Sequence, residues 1–235
     1  MFSPEPVFFA DRHEAGRRLA EALLEYAGKD AIVLSLPRGG VVVGYEVARR
    51  LQLPLDVIIT HKVGAPGNPE YAIGAVAENG EVVLNKPEIR LLGVSEQYLR
   101  EEIAHQEEEI ERRVQLYRNG RRLPSLKNRI AILVDDGIAT GFTMFAAAEA
   151  VKAEGPVEVV IAVPVAAPSS LQSLKPVVDR IVCLAAPTPF WAVGAFYRDF
   201  EQVTDEEVRR YLEESRRGWS DQGREKASGA SDESD

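Results

Sequence analysis

The sequence predicts an α/β protein built on an open, mainly parallel sheet flanked by helices, and three observations lead there. Apolar runs at residues 31–36, 55–60, 130–134, 157–165 and 180–185 alternate with stretches of helical spacing, the pattern of strands joined by helical crossovers. The five apolar residues before Asp135 suit a strand buried on both faces, as strands of a parallel sheet are. At 235 residues and 45% hydrophobic composition, the chain can fill the core of one domain of ordinary size carrying an insertion.

Taken in order, Asp11 with Glu14 forms a capping pair for a helix to about Tyr26, with Ala15, Leu19, Leu23 and Tyr26 inward. Ala31 to Leu36 is the first core strand, Pro37-Arg38-Gly39-Gly40 breaks it, and Val41 to Leu51 supplies a helix. Leu55 to Thr60 is the next strand, parallel to the first because a helix joins them. Two glycines and two prolines make Val63 to Pro69 a loop with little regular structure. Tyr71 to Ala77 and Glu81 to Asn85 flank Asn79-Gly80, a dipeptide suited to a tight hairpin. Ser95 caps a long helix to about Arg118, with Leu99, Ile103, Ile110, Val114 and Tyr117 on one side and a solvated charged face on the other. The strand at 130–134 and a helix from Phe142 follow, then the last two strands. Thr204 with Glu207 caps a final helix to about Arg217, and the Ser-, Asp-, Gly- and Glu-rich segment 218–235 is expected to be disordered. The architecture read from this is a single domain, 1–217, with a loop, hairpin and long-helix insertion at 63–118.

The richest stretch runs from Ile130 to Met144. There a buried strand ends in Asp135 and Asp136, and a small-residue turn leads to a helix start. Gly137, Ala139, Thr140, Gly141 and Thr143 are small enough for backbone N–H groups to approach a phosphate, and the helix adds its unpaired N–H groups and positive dipole end. The two threonine hydroxyls add donors, while the paired acids accept from vicinal sugar hydroxyls. Pro37-Arg38-Gly39-Gly40 also ends a strand and opens a helix. Gly39 and Gly40 permit unusual backbone geometry there, and Arg38 can grip phosphate oxygens with two parallel donors.

The 135–143 string resembles the PRPP-binding signature of type I phosphoribosyltransferases, and the resemblance covers the core from about residue 31 to 200. It implies a Rossmann-like fold in which Asp135 and Asp136 hold the ribose, the following turn wraps the 5′-phosphate, and the 37–40 turn holds pyrophosphate. Gly137 departs from that family, which usually has an aliphatic residue there. The resemblance also implies a closing loop at 63–70, with Lys62 neutralising pyrophosphate and Glu70 exchanging a proton near the base. The segment 186–203 resembles the base cover of the hypoxanthine-guanine branch, with Phe190, Trp191 and Val193 against the base and Asp199 joining Asp135 and Asp136 near Mg²⁺; its spacing is off by about a residue. Ala139 stands where that branch usually has an aspartate directed at the purine, so the acceptor is open.

The function expected is transfer of the 5-phosphoribosyl group from PRPP to a nitrogenous base or related acceptor in nucleotide salvage, with Mg²⁺ and release of pyrophosphate. A PRPP-sensing regulator without turnover is the alternative. The net charge of −9 disfavours a general affinity for nucleic acid or acidic membranes. Cys183, the single cysteine, sits in an apolar run and reads as core packing, and His61 reads as structural. No stretch approaches the roughly 20 apolar residues of a membrane span, and the N-terminus lacks a signal-peptide pattern, so a cytoplasmic location is expected. Homodimers are common in the resembled family.

Overall fold

The structure is a computed structural model that describes residues 9–229. Its elements are α1 (Arg12–Ala22), β1 (Ala31–Ser35), α2 (Gly39–Leu51), β2 (Leu55–Val57), β3 (Thr60–Ala65), β4 (Asn68–Ala77), β5 (Val82–Leu84), α3 (Lys86–Leu91), α4 (Glu96–Arg118), β6 (Ile130–Val134), α5 (Phe142–Ala153), β7 (Glu158–Val165), α6 (Pro168–Leu174), β8 (Arg180–Ala185) and α7 (Asp205–Gly229). Single 3₁₀ turns lie at Leu24–Tyr26 and Val193–Phe196. No helix among the described residues is long and apolar enough to cross a membrane.

One sheet is parallel throughout, in the order β2-β1-β6-β7-β8. Because side chains alternate across a strand, each strand feeds two cores. Val33, Val57, Ile132, Val134, Val160 and Ala162 face α1, α2 and α7, whereas Ile32, Leu34, Leu133, Ile161 and Val163 face α5. This two-sided burial is why the strands read as continuous apolar runs. Between β2 and β6 the chain builds a second, antiparallel sheet, β3-β4-β5, which lies between α4 and α5.

The helix starts follow the sequence expectations closely. Asp11 Oδ1 accepts from Glu14 N at 2.7 Å, Ser95 Oγ from Tyr98 N at 3.2 Å, and Thr204 with Glu207 closes both bonds of a capping box, at 2.8 and 3.2 Å. Gly80 turns the β4–β5 hairpin with φ +83°.

Three expectations are corrected. Residues 63–69 are a β3–β4 hairpin instead of an irregular loop: Gly67 (φ +73°) makes the turn, and a register shift beside Gly64 absorbs the irregularity. A Cβ on Gly64 would lie 2.7 Å from the Pro69 backbone, so glycine is what lets these strands approach. Pro69 is tolerated because β4 meets β5 only from Gly74 onward. The run 55–60 is two strands, β2 in the parallel sheet and the start of β3 in the other. Finally, α7 continues through 218–229, where disorder is expected; its Arg, Glu, Gln, Lys and Ala are good helix formers. Residues 230–235 of that segment lie outside the described residues.

Candidate active site

The two turns singled out in the sequence meet at the carboxyl edge of the parallel sheet. They leave β1 and β6, which are neighbours in register from Ala31↔Ile130 to Ser35↔Val134. A Cβ on Gly40 would sit 2.8 Å from Asp135 Oδ1 and 3.0 Å from Val134 O, and one on Gly39 would strike Asp136 Oδ2. The peptide Pro37–Arg38 is cis. Helices α2 and α5 start at these turns, and neither has a side-chain cap or an acid in its first turn, whereas α1, α3 and α4 are capped by side chains. Two uncapped N-termini therefore flank one acidic pair, and each offers N–H groups and a positive dipole end to an anion.

The 137–143 turn is held from below. Ile138 N donates to Val165 O at 2.9 Å, Ala167 N to Ile138 O at 2.8 Å, and the buried Ser170 Oγ to Ala139 O at 2.5 Å. Gly141, with φ +82°, delivers the chain into α5. Ala139 and Thr140 are left exposed, with Gly141 and Thr143 half-buried.

Asp135 and Asp136 differ in their surroundings. Asp136 Oδ2 accepts from Arg12 Nε at 2.8 Å, and Asp135 Oδ1 accepts from the backbone N–H of Asp136 at 2.8 Å. Burial, reinforced by the charge of Asp136, pushes the Asp135 carboxyl well above the usual carboxylate range. Burial also raises Asp136, against the opposing pull of Arg12. A carboxyl raised in the folded state contributes stability that is complete below the ordinary carboxyl range and is lost as pH rises through the folded midpoint. Asp135→Asn should remove this dependence, so that above that midpoint the variant unfolds at higher urea than the parent. Urea melts at acidic and at neutral pH check it; parallel pH dependences would refute it.

Residues 186–203 lie over the acids. Tyr197 OH donates to Asp136 O at 2.5 Å, and burial raises its phenol far above the ordinary value. Phe190 packs on Phe196 with ring centroids 5.2 Å apart, while Trp191 is 84% exposed, so the aromatic pair divides between core and solvent. Both line a cleft of about 400 Å³ with Ala139, Thr140, Ala167, Ser169, Ser170 and Ser173. Val193 explains the departure at Gly137: a Cβ on Gly137 would lie 2.5 Å from Val193 Cγ1, so the valine fills the space an aliphatic residue would take.

The other expected residues have partners of their own. Lys62 Nζ and Glu70 Oε2 pair with each other at 2.6 Å on the β3–β4 hairpin, instead of with the acids or the 37–40 turn. Arg38 Nη1 reaches Asp205 Oδ1 at 3.9 Å, at the start of α7. Asp199 Oδ1 accepts from Glu201 N at 3.3 Å, and among the described residues no three His, Cys, Asp or Glu side chains gather as a metal cage, so Asp199 does not join the pair. His61 bonds Gln106 at 3.0 Å, and His13 bridges Glu46 at 2.8 Å and Tyr211 at 3.1 Å. Sequence reasoning missed Arg12, Tyr197 and Ser170, whose partners are 31 to 189 positions away and leave no local pattern.

Comparison with known proteins agrees with this geometry. A family model described as phosphoribosyl transferase domain matches residues 10–201. Two Mycobacterium tuberculosis proteins, from strains H37Rv and CDC 1551, are each 43% identical over 215 residues, which is 92% of this chain and 48% of theirs. They are named "Putative phosphoribosyl transferase Rv0571c" and "Putative phosphoribosyl transferase MT0597". The chain thus spans about half the length of these curated relatives. The crystal structure of TT1426 from Thermus thermophilus is 50% identical, with a TM-score of 0.73 over 87% of this chain and 97% of that one. With these matches, and with paired acids between two uncapped helix starts, the chain belongs to the phosphoribosyl transferase domain family.

Proposed function

We infer that the chain transfers the 5-phosphoribosyl group of PRPP to a nitrogenous base or related small acceptor and releases pyrophosphate. The observation that carries this reading is the junction of the two uncapped helix starts around Asp135 and Asp136: one anion site for each end of PRPP, with sugar-hydroxyl acceptors between them. The 5′-phosphate lies in the 137–143 turn and the pyrophosphate faces 37–40.

Departure of pyrophosphate leaves positive charge on the anomeric carbon, as in glycoside hydrolysis. The chain's work is therefore electrostatic and positional. Asp135 and Asp136 orient the ribose through its hydroxyls, and the amides at the start of α2 hold the leaving group. Arg38, half-exposed and only loosely paired with Asp205, is free to turn onto the same oxygens. Lys62 reaches them only by giving up Glu70. Two carboxylates beside a polyphosphate are the donor set Mg²⁺ takes, since it draws its other ligands from phosphate and water, and when bound it supplies charge to the pyrophosphate oxygens. The cleft beside Trp191 and Phe190 receives the acceptor, and the 186–203 segment keeps water from the activated sugar.

Incubating the protein with PRPP, Mg²⁺ and a panel of bases, while following pyrophosphate, tests the reading. Release that depends on one base is expected. PRPP binding without release in any mixture would replace catalysis by sensing, and no PRPP binding would overturn both.

A further inference from the structure

Arg12 opens α1, where a cation faces the positive end of the helix dipole, so local helix stability does not explain it. Its side chain is nonetheless only 11% exposed and makes three contacts with remote segments. Nε donates to Asp136 Oδ2 at 2.8 Å and Nη1 to the carbonyl of Glu201 at 2.7 Å, while the guanidinium carbon stands 3.8 Å from the centre of the Phe200 ring. The backbone at Gly39 roofs the pair, since a Cβ there would come within 2.9 Å of Arg12 Nε. Two edges and one face of a single rigid plane are in use, a combination a lysine ammonium cannot reproduce.

We propose that Arg12 is a positioning residue that latches the 186–203 segment to the sugar-binding acid, so that Asp136 is presented to the ribose only while the segment is down. This rests on the reading of Asp136 as a ribose ligand. The segment has two reporters of its own: Arg198 N donates to Phe9 O at 2.8 Å and Asp199 N to Ala10 O at 2.9 Å. If the latch holds the segment, opening it from either end must free these amides, and by linkage a change at one end is felt at the other.

The test is hydrogen exchange at Arg198 and Asp199 in the ligand-free protein. Asp136→Ala, which loses one charge-assisted hydrogen bond, is expected to speed exchange about tenfold, Arg12→Gln at least as much because it also gives up Phe200 and Glu201, and the double variant no more than Arg12→Gln alone. Asp136→Ala leaves every contact of Arg12 with Phe200 and Glu201 in place, so unchanged exchange there would mean simple packing and overturn the latch, as would multiplying effects. Arg12→Lys and Asp136→Asn, milder changes, give graded increases on the same reasoning and decide the matter if the first pair folds poorly. PRPP titration then adds a separate readout: Arg12→Gln weakens binding, and Arg12→Lys keeps part of the binding together with part of the protection. A parent protein that binds no PRPP would sink the proposed function while leaving the exchange cycle to judge the latch.

Discussion

Gly40→Ala is expected to lower the affinity for PRPP at least about tenfold and to cost about 1–3 kcal/mol of folding stability, the usual penalty for overpacking a filled site. The sign is the informative part. Gly40 is the second residue of α2, and helix propensity alone favours alanine there by about 1 kcal/mol. Against that gain stand the Asp135 backbone and Val134 carbonyl, 2.9 and 3.0 Å from the added carbon, neither of which can turn aside. The turn must retreat from the acids, and the two anion sites then lie too far apart for one ligand. Calorimetric titration with PRPP and urea unfolding measure the two effects. A variant as stable as the parent, binding PRPP equally well, would show that the 37–40 turn does not close on Asp135.

Arg118→Met is expected to destabilise the protein by about 3–5 kcal/mol, because it strands buried acids. Arg118 is 1% exposed at the end of α4, paired with Glu78 Oε2 and 4.0 Å from Asp56 Oδ1. Glu78 also accepts from the backbone N–H of Ile59, where the chain passes from one sheet to the other, so the cluster fastens the second sheet to the first. Burial already raises the Asp56 carboxyl and lowers the guanidinium, and removing the cation leaves both acids in a water-poor site. For a domain of this size the loss corresponds to roughly 6–20 °C in melting temperature. Pairing Arg118→Met with Glu78→Gln should recover part of it; a double variant no better than the single would argue against the charge explanation.

These two residues also mark what the sequence discloses. The parallel strands and the long helix with its Ser95 cap are legible because each follows from local spacing, and the junction of Gly39 and Gly40 with the paired acids because the family resemblance implies it. The 63–69 hairpin is not, because Gly and Pro read as loop formers until the partner strand that accommodates them is seen. Arg118 reads as part of a solvated charged face; nothing near it in sequence says that β2 and β4 bury it. Arg12 and Tyr197 converge on Asp136 from opposite ends of the chain, with Glu201 holding Arg12, and no periodicity records such a meeting. The tail misleads in the other direction, since polar composition masks the helix formers that carry α7 to Gly229.

The interlock of Gly137 and Val193 constrains how this protein can change over generations. A branched residue restored at 137 collides with the valine, whereas trimming 193 first leaves a hollow beside the acids. Each single step passes through a poorer molecule, so a lineage that enlarges one site is expected to have shrunk the other.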